Sequence, residues 1–238
     1  MWKWHKSNII KIEDESPTTK RFRLEVPDLE KVDFKAGQFI TMDLPIHKKR
    51  LKRWRSYSIA NAPDGTNIIE LCIVYLEGGL ASEYLFKETK VGDEITFKGP
   101  TGVFTLPQEL DNDIVLICTG TGIAPFRSMI WDIYNNKKTH QKIHLIFGTR
   151  YEKNILYRQE LEELEKQWSD FYYTVTLSRE RNWAGFQGYV HAVYEKLYQQ
   201  HDNTVFYLCG WQNMIDEAKE RLQKMGVEKE RIVYELYG

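Results

Sequence analysis

The chain has 238 residues, 42% of them hydrophobic and 28% charged, with a net charge of −1 at pH 7. That composition suits one large or two ordinary folded domains and argues against a general nucleic-acid or membrane binder. Cys72, Cys118 and Cys209 are too few and too scattered for a disulfide framework or for zinc or iron–sulfur ligation, and no stretch has the length of a membrane span.

The chain opens Met1-Trp2-Lys3-Trp4-His5-Lys6, with no apolar run behind it to act as a signal peptide, so the expected compartment is cytoplasmic. Short strand-like runs follow at residues 7–12, 19–26, 39–44, 54–60, 68–75 and 94–98. Turn chemistry separates them at Pro27-Asp28, Ala36-Gly37-Gln38, Ala62-Pro63-Asp64-Gly65 and Val91-Gly92-Asp93. With one short helical piece at 80–86, the pattern predicts a six-stranded antiparallel β-barrel.

Two stretches of this half carry residue types suited to a ligand. Arg55-Ser56-Tyr57-Ser58 offers a phosphate partner, a flat ring and two hydroxyls, although alone it also reads as an edge strand. Alternation puts Arg55 and Tyr57 on one strand face and Ser56 and Ser58 on the other. Gly78-Gly79-Leu80-Ala81-Ser82 is a glycine turn into a helix, either a phosphate cradle or a plain helix start. From Lys48 to Arg55, six of eight residues are cationic, a docking patch for an acidic partner, a solvated loop or a set of phosphate contacts.

The rhythm changes after Pro107. Strands at 114–118, 143–147, 172–178, 205–209 and 232–236 alternate with helices at 125–134, 157–168, 190–200 and 214–225. This predicts a five-stranded parallel sheet covered by helices, and two domains at 1–108 and 109–238. The first of these strands runs into Thr119-Gly120-Thr121-Gly122-Ile123-Ala124-Pro125, where two glycines let the backbone approach a ligand and Pro125 suits a helix start. Such a turn aims N–H groups and a positive helix end at an anion, most often a phosphate. The spacing G-x-G-x-x-P departs from the G-x-G-x-x-G fingerprint, and no acid ends the next strand.

Taken together, Arg55-Ser56-Tyr57-Ser58, Gly79-Leu80-Ala81-Ser82, Gly120-Thr121-Gly122-Ile123-Ala124-Pro125, Cys209-Gly210 and Glu235-Leu236-Tyr237 resemble, in order and over nearly the whole chain, the signatures of plant-type ferredoxin–NADP(+) reductases. The resemblance implies an FAD-binding barrel followed by an NAD(P)-binding α/β domain. It gives Arg55, Ser56 and the Gly79–Ser82 segment to FAD, Tyr57 to the isoalloxazine ring, and Ser58 to the neighbourhood of flavin N5. Thr121, Gly122 and Pro125 would receive the nicotinamide nucleotide, while Cys209 and Gly210 would lie beside its nicotinamide. Ser58, Cys209 and Glu235 would line the hydride path, with Tyr237 over the other flavin face.

Ser178 and Arg179, leaving the third parallel strand, resemble the pair that holds the 2′-phosphate in the NADP-using reductases, which favours NADP(H) although Glu180 is adjacent. The implied partner is a ferredoxin- or flavodoxin-like acidic one-electron carrier. The rival readings are an NAD(P)H-dependent reductase component of an oxygenase, a flavin or cytochrome reductase, and a non-catalytic flavin or nucleotide sensor. The sensor reading conflicts with the presence of all three hydride-path residues.

Overall fold

The computed structural model describes residues 3–237; Met1, Trp2 and Gly238 lie outside the described residues. The chain divides into two compact units. The first takes in the residues up to Leu106 together with the segment Ala124–Asn136, and the second holds Pro107–Ile123 and everything from Lys137 onward.

The first unit is built on six antiparallel strands: β1 (Trp4–Ser16), β2 (Thr19–Glu25), β3 (Phe39–Asp43), β4 (Trp54–Ser58), β5 (Ile68–Val74) and β6 (Glu94–Thr101). They hydrogen-bond in the order β4-β3-β6-β1-β2-β5, and a bridge between Ile59 and Leu71 brings the two edges together, closing the sheet as a barrel. Closure removes the unpaired edges that an open sheet would present. Inward positions recur at every second residue, and Ile9, Phe22, Leu24, Ile40, Met42 and Phe97 form a core with almost no exposure. The predicted helical piece is a single α turn, α1 (Leu80–Glu83), that continues as a π turn over Tyr84–Glu88.

The second unit is a parallel sheet. Its strands are β7 (Asp113–Thr119), β8 (Ile143–Thr149), β9 (Phe171–Leu177), β10 (Phe186–Gln187), β11 (Thr204–Trp211) and β12 (Ile232–Tyr237), in the order β10-β9-β8-β7-β11-β12. The sheet therefore has six strands rather than the five expected. The extra strand, β10, is two residues long and pairs only at Phe186 with Thr176 and Gln187 with Leu177, too short to leave an alternation in the sequence. Helices α3 (Arg158–Gln167), α4 (Val190–Leu197) and α5 (Gln212–Lys224) belong to this unit. Val115, Ile117, Ile146, Phe206 and Leu208 pack with Val193, Tyr194, Ile215 and Leu222 from α4 and α5. Each such side chain contributes roughly 1.5–3 kcal/mol by leaving water.

Helix α2 (Ile123–Asn135) starts two residues before Pro125. Proline is accepted within the first turn because those N–H groups have no partner four residues back. The strand order reverses at β7: the chain passes from β7 to β8 on one side and returns to β11 on the other. Ligands of open parallel sheets bind where strand order reverses in this way, beyond the carboxyl ends of the strands.

Candidate functional site

In the barrel, β4 pairs with β3 so that Arg55 faces Met42, Ser56 faces Thr41, Tyr57 faces Ile40 and Ser58 faces Phe39. Tyr57 therefore shares a side with core residues and packs against them. Burial pushes its phenol up to about 12, with Arg55 opposing, so the ring is neutral across the working pH range. Arg55 Nη1 donates to the carbonyls of Lys52 (3.0 Å) and Trp54 (2.8 Å), which curls the guanidinium over the preceding turn. Ser56 is exposed, its hydroxyl 3.0 Å from Thr41 Oγ1, whereas Ser58 is buried.

The Gly79–Ser82 segment is tightly self-bonded. Ser82 Oγ accepts the N–H of Leu76 at 3.0 Å and lies 2.8 Å from the Leu76 carbonyl and 3.0 Å from that of Gly79. Gly78 has φ +74°, and a Cβ on Gly79 would come within 3.0 Å of both the Leu76 carbonyl and Ser82 Oγ. The Ser82 hydroxyl thus shapes the turn, and the backbone N–H groups of Leu80, Ala81 and Ser82 begin the helix behind it.

In the parallel sheet, Gly120–Gly122 form a 3₁₀ turn directly after β7, with Gly120 at φ +53° and the Ile123 N–H bonded back to the Gly120 and Thr121 carbonyls. Gly122 is pressed against β11, where a Cβ would lie 2.4 Å from the Cys209 carbonyl oxygen. Gly210 reciprocates with φ +142° and no room for a Cβ, which would meet Thr119 Oγ1 at 2.6 Å. The Thr119 hydroxyl is buried beside them and has no hydrogen-bond partner.

Register places Phe147, Cys118, Cys209 and Glu235 side by side on four consecutive strands, with Tyr237 opposite Trp211 two residues further along. Cys209 is fully buried, and its thiol is pushed well above the ordinary range by burial first, then by the neighbouring Glu235 carboxylate and, less, by Cys118; a hydrogen bond from Tyr237 partly offsets these. Cys118 is held protonated by burial alone. Gly122, Gly210, Cys209, Glu235 and Tyr237 thus converge. Ser178 and Arg179 do not join them: they leave β9, two strands from β7, about 10 Å away at ordinary strand spacing. Their backbone N–H groups bond to the Thr149 and Arg150 carbonyls, and Arg179 is exposed. Beside them Tyr151, Glu152, Lys153, Arg158 and Glu180 line a cleft of about 600 Å³.

Residues 6–106 match the oxidoreductase FAD-binding domain, and residues 116–220 match the oxidoreductase NAD-binding domain. Ferredoxin–NADP reductase B of Sorangium cellulosum is 31% identical over 240 residues, covering 97% of this chain and 96% of that protein. The chain belongs to the ferredoxin–NADP reductase-like family of FAD- and NAD-binding oxidoreductases. The phenol hydroxylase P5 protein of Acinetobacter pittii is 32% identical over 96% of the chain, which spans 65% of that longer protein. A solved ferredoxin NADP+ reductase from Neisseria gonorrhoeae shares the fold at TM-score 0.84 and 24% identity, with 98% of each chain covered.

For a member of the ferredoxin–NADP reductase-like family, the residues present fit both groups. Gly122 and Gly210 leave no room for a Cβ, which draws the Gly120–Gly122 turn tight against β11 beside the unsatisfied Thr119 hydroxyl, and a bare backbone turn at the reversal point suits a nucleotide pyrophosphate. The Gly78–Ser82 turn, free of bulk and ending in a helix start, suits a second phosphate group. Sequence reasoning missed Cys118, Thr119 and Gly148. Gly148 abuts Thr119 and Val190, where a Cβ would lie 2.6 Å from a Val190 methyl carbon. The only sequence signal for the first two was their place before Gly120, which mirrors that of Cys209 before Gly210.

Proposed function

We propose that the protein moves electrons between NADP(H) and an acidic one-electron carrier of the ferredoxin or flavodoxin kind, in the cytoplasm, through bound FAD. The observation that carries this reading is the convergence of Cys209, Glu235 and the glycine turn that Gly122 and Gly210 hold against β11, at the carboxyl ends of β11, β12 and β7. FAD, when bound, supplies the exchange between a two-electron hydride donor and one-electron acceptors. The chain's own residues hold and orient. Gly120, Thr121 and Gly122 offer the pyrophosphate a backbone surface, with Pro125 in the helix turn behind. Cys209 presents an uncharged thiol in a dry setting, and Glu235 supplies the carboxylate next to it. Arg55, Ser56, Tyr57 and Ser58 on β4, with the Gly79–Ser82 turn, bind FAD.

Support for an acidic carrier comes from the turn Arg50–Arg53. Lys48, Lys49, Arg50 and Lys52 surround Leu51, which is 75% exposed. An apolar tip within a basic collar favours a negatively charged partner and steers its approach. A second reading, the reductase component of an oxygenase, draws on the Acinetobacter relative and on Glu180, which follows Arg179 in the chain and lines a cleft with Glu152.

Stopped-flow reduction of the FAD-loaded protein by NADPH and by NADH separates the two readings. Preference for NADPH, weakened about ten- to hundred-fold in Arg179→Ala with NADH turnover unchanged, supports the first. Faster reduction by NADH supports the second. A protein that neither binds FAD nor is reduced by either nucleotide ends both.

A further inference from the structure

Helix α2 carries two polar anchors that a nucleotide-binding turn does not itself require. Arg127, two residues past Pro125, places Nη1 2.8 Å from the Ala60 carbonyl oxygen and 3.2 Å from Glu70 Oε1. Next to it, Ser128 Oγ donates to the Asn61 carbonyl at 2.6 Å. Ala60 and Asn61 follow Ser58 by two and three residues, at the end of β4. Glu70, on β5, is only 2% exposed, and its second oxygen accepts from Arg23 Nε of β2 at 2.9 Å. Its backbone completes the knot: the Glu70 N–H donates to Asn61 Oδ1 and the Glu70 carbonyl accepts the Ala60 N–H, both at 2.8 Å. All these groups belong to the unit that includes Ala124–Asn136.

A carboxylate so deeply buried is costly unless paired, and apolar packing of the same volume stabilises about as well or better. What the charged arrangement adds is direction. A guanidinium has donors in a fixed fork, so bonding one carbonyl of the β4 extension and one carboxylate of β5 sets both the distance and the rotation of the helix start.

We propose that Arg127 and Glu70 are a positioning pair that fixes the first turn of α2, with Pro125, against the Ser58 end of β4. This rests on the assignment of Ser58 to the flavin and Pro125 to the nucleotide. Arg127 touches neither group; it acts through the Ala60 carbonyl and the helix. Hydride transfer demands close registry of two flat rings, and a misplacement of about 1 Å from a distant change costs on the order of a hundredfold in rate.

The test uses the FAD-loaded protein with Arg127→Met, Arg127→Lys and Ser128→Ala. Arg127→Met is expected to keep its flavin-to-protein ratio and to bind NADP(+) within about threefold of the parent, while single-turnover reduction by NADPH slows roughly ten- to hundredfold. Amide hydrogen exchange across residues 124–131 should accelerate in parallel, a readout that does not depend on turnover. Arg127→Lys, which retains a cation and donors, should recover most of both losses. Reduction and exchange at parental rates in Arg127→Met would overturn the proposal. Should that variant fail to fold, Ser128→Ala removes only the neighbouring anchor; it should raise both readouts' deviation a few-fold, and unchanged values there would overturn the proposal equally. A parent protein that NADPH does not reduce defeats the functional assignment instead, and amide exchange in the variants then decides alone whether this pair holds α2.

Discussion

Gly122 and Cys209 meet backbone to backbone: a Cβ on Gly122 would sit 2.4 Å from the Cys209 carbonyl oxygen and 2.7 Å from its carbon. The obstacle is strand β11 itself, fixed between β7 and β12, and not a side chain able to rotate away. Gly122→Ala must therefore move the glycine turn off the sheet. Overpacking of this kind costs about 1–3 kcal/mol, a fall of roughly 2–10 °C in Tm for a chain of this size. Nucleotide affinity should fall with it, measured by NADP(+) titration. Gly120→Asn is the contrast: Gly120 has φ +53° with open space beside it, a conformation asparagine tolerates, so stability should change little. Equal effects from the two substitutions would remove the close approach as the reason for Gly122.

The Ser82 hydroxyl makes a different prediction, because it is spent on the turn and not held free for a ligand. Ser82→Ala leaves the Leu76 N–H and the Leu76 and Gly79 carbonyls without their clasp. The expected cost is about 1–2 kcal/mol in stability, together with a lower FAD-to-protein ratio after purification that added FAD restores. Full flavin content at parental stability would show that the turn keeps its shape unaided.

Most of this architecture was legible in the chain. The six barrel strands and the alternating strands and helices after Pro107 showed because buried strands such as Ile114–Cys118 are continuous apolar runs bounded by turn residues. β10 was not legible, since two residues carry no period. Cys209 and the glycine turn were found through motifs, yet their contact was not, because the touching atoms are backbone and sheet order is not written in local spacing. Cys118 escaped for the same reason: only the pairing of β7 with β11 brings it level with Cys209. Arg127 and Glu70 stand 57 residues apart, and neither carries a local pattern that calls for the other.

The thiols give a prediction from electrostatics. Cys118 and Cys209 are both buried and both pushed far above the ordinary thiol range, Cys209 with Glu235 adding to burial, so neither is a thiolate at neutral pH. Cys72 is buried as well. A thiol reagent should therefore modify none of the three cysteines in the native protein within minutes, and all three in denaturant. Cys209→Ala should leave FAD content intact while slowing single-turnover flavin reduction. Prompt labelling of Cys209 in the native state would contradict the burial argument, and an unchanged reduction rate would return the residue to the core.

His144 lies in the same sheet at the opposite strand end, the second residue of β8, and it carries the pH dependence. Its Nδ1 is 2.6 Å from the Tyr198 hydroxyl and its Nε2 2.8 Å from Thr174 Oγ1, so both ring nitrogens are engaged in a neutral network. Burial lowers its pKa from 6.5 to about 4. The unfolded chain thus takes up a proton near pH 6.5 that the folded protein refuses until about pH 4. Stability from this residue is fully present above pH 6.5 and is lost as pH falls through that window, by at most about 1.4 kcal/mol per pH unit for one proton. Urea unfolding at pH 7.0 and pH 5.0 should show a steeper loss in the parent than in His144→Gln, which cannot titrate there. The variant will be less stable at neutral pH, since glutamine does not reproduce both bonds, but that offset is common to the two pH values and cancels in the slope. His191, whose pKa burial also lowers, titrates in both proteins and cancels likewise. Parallel slopes would mean that His144 takes up its proton equally in the folded and unfolded chain, so that burial does not depress it; a shallower loss in the parent than in the variant would mean that it is already a cation in the folded state.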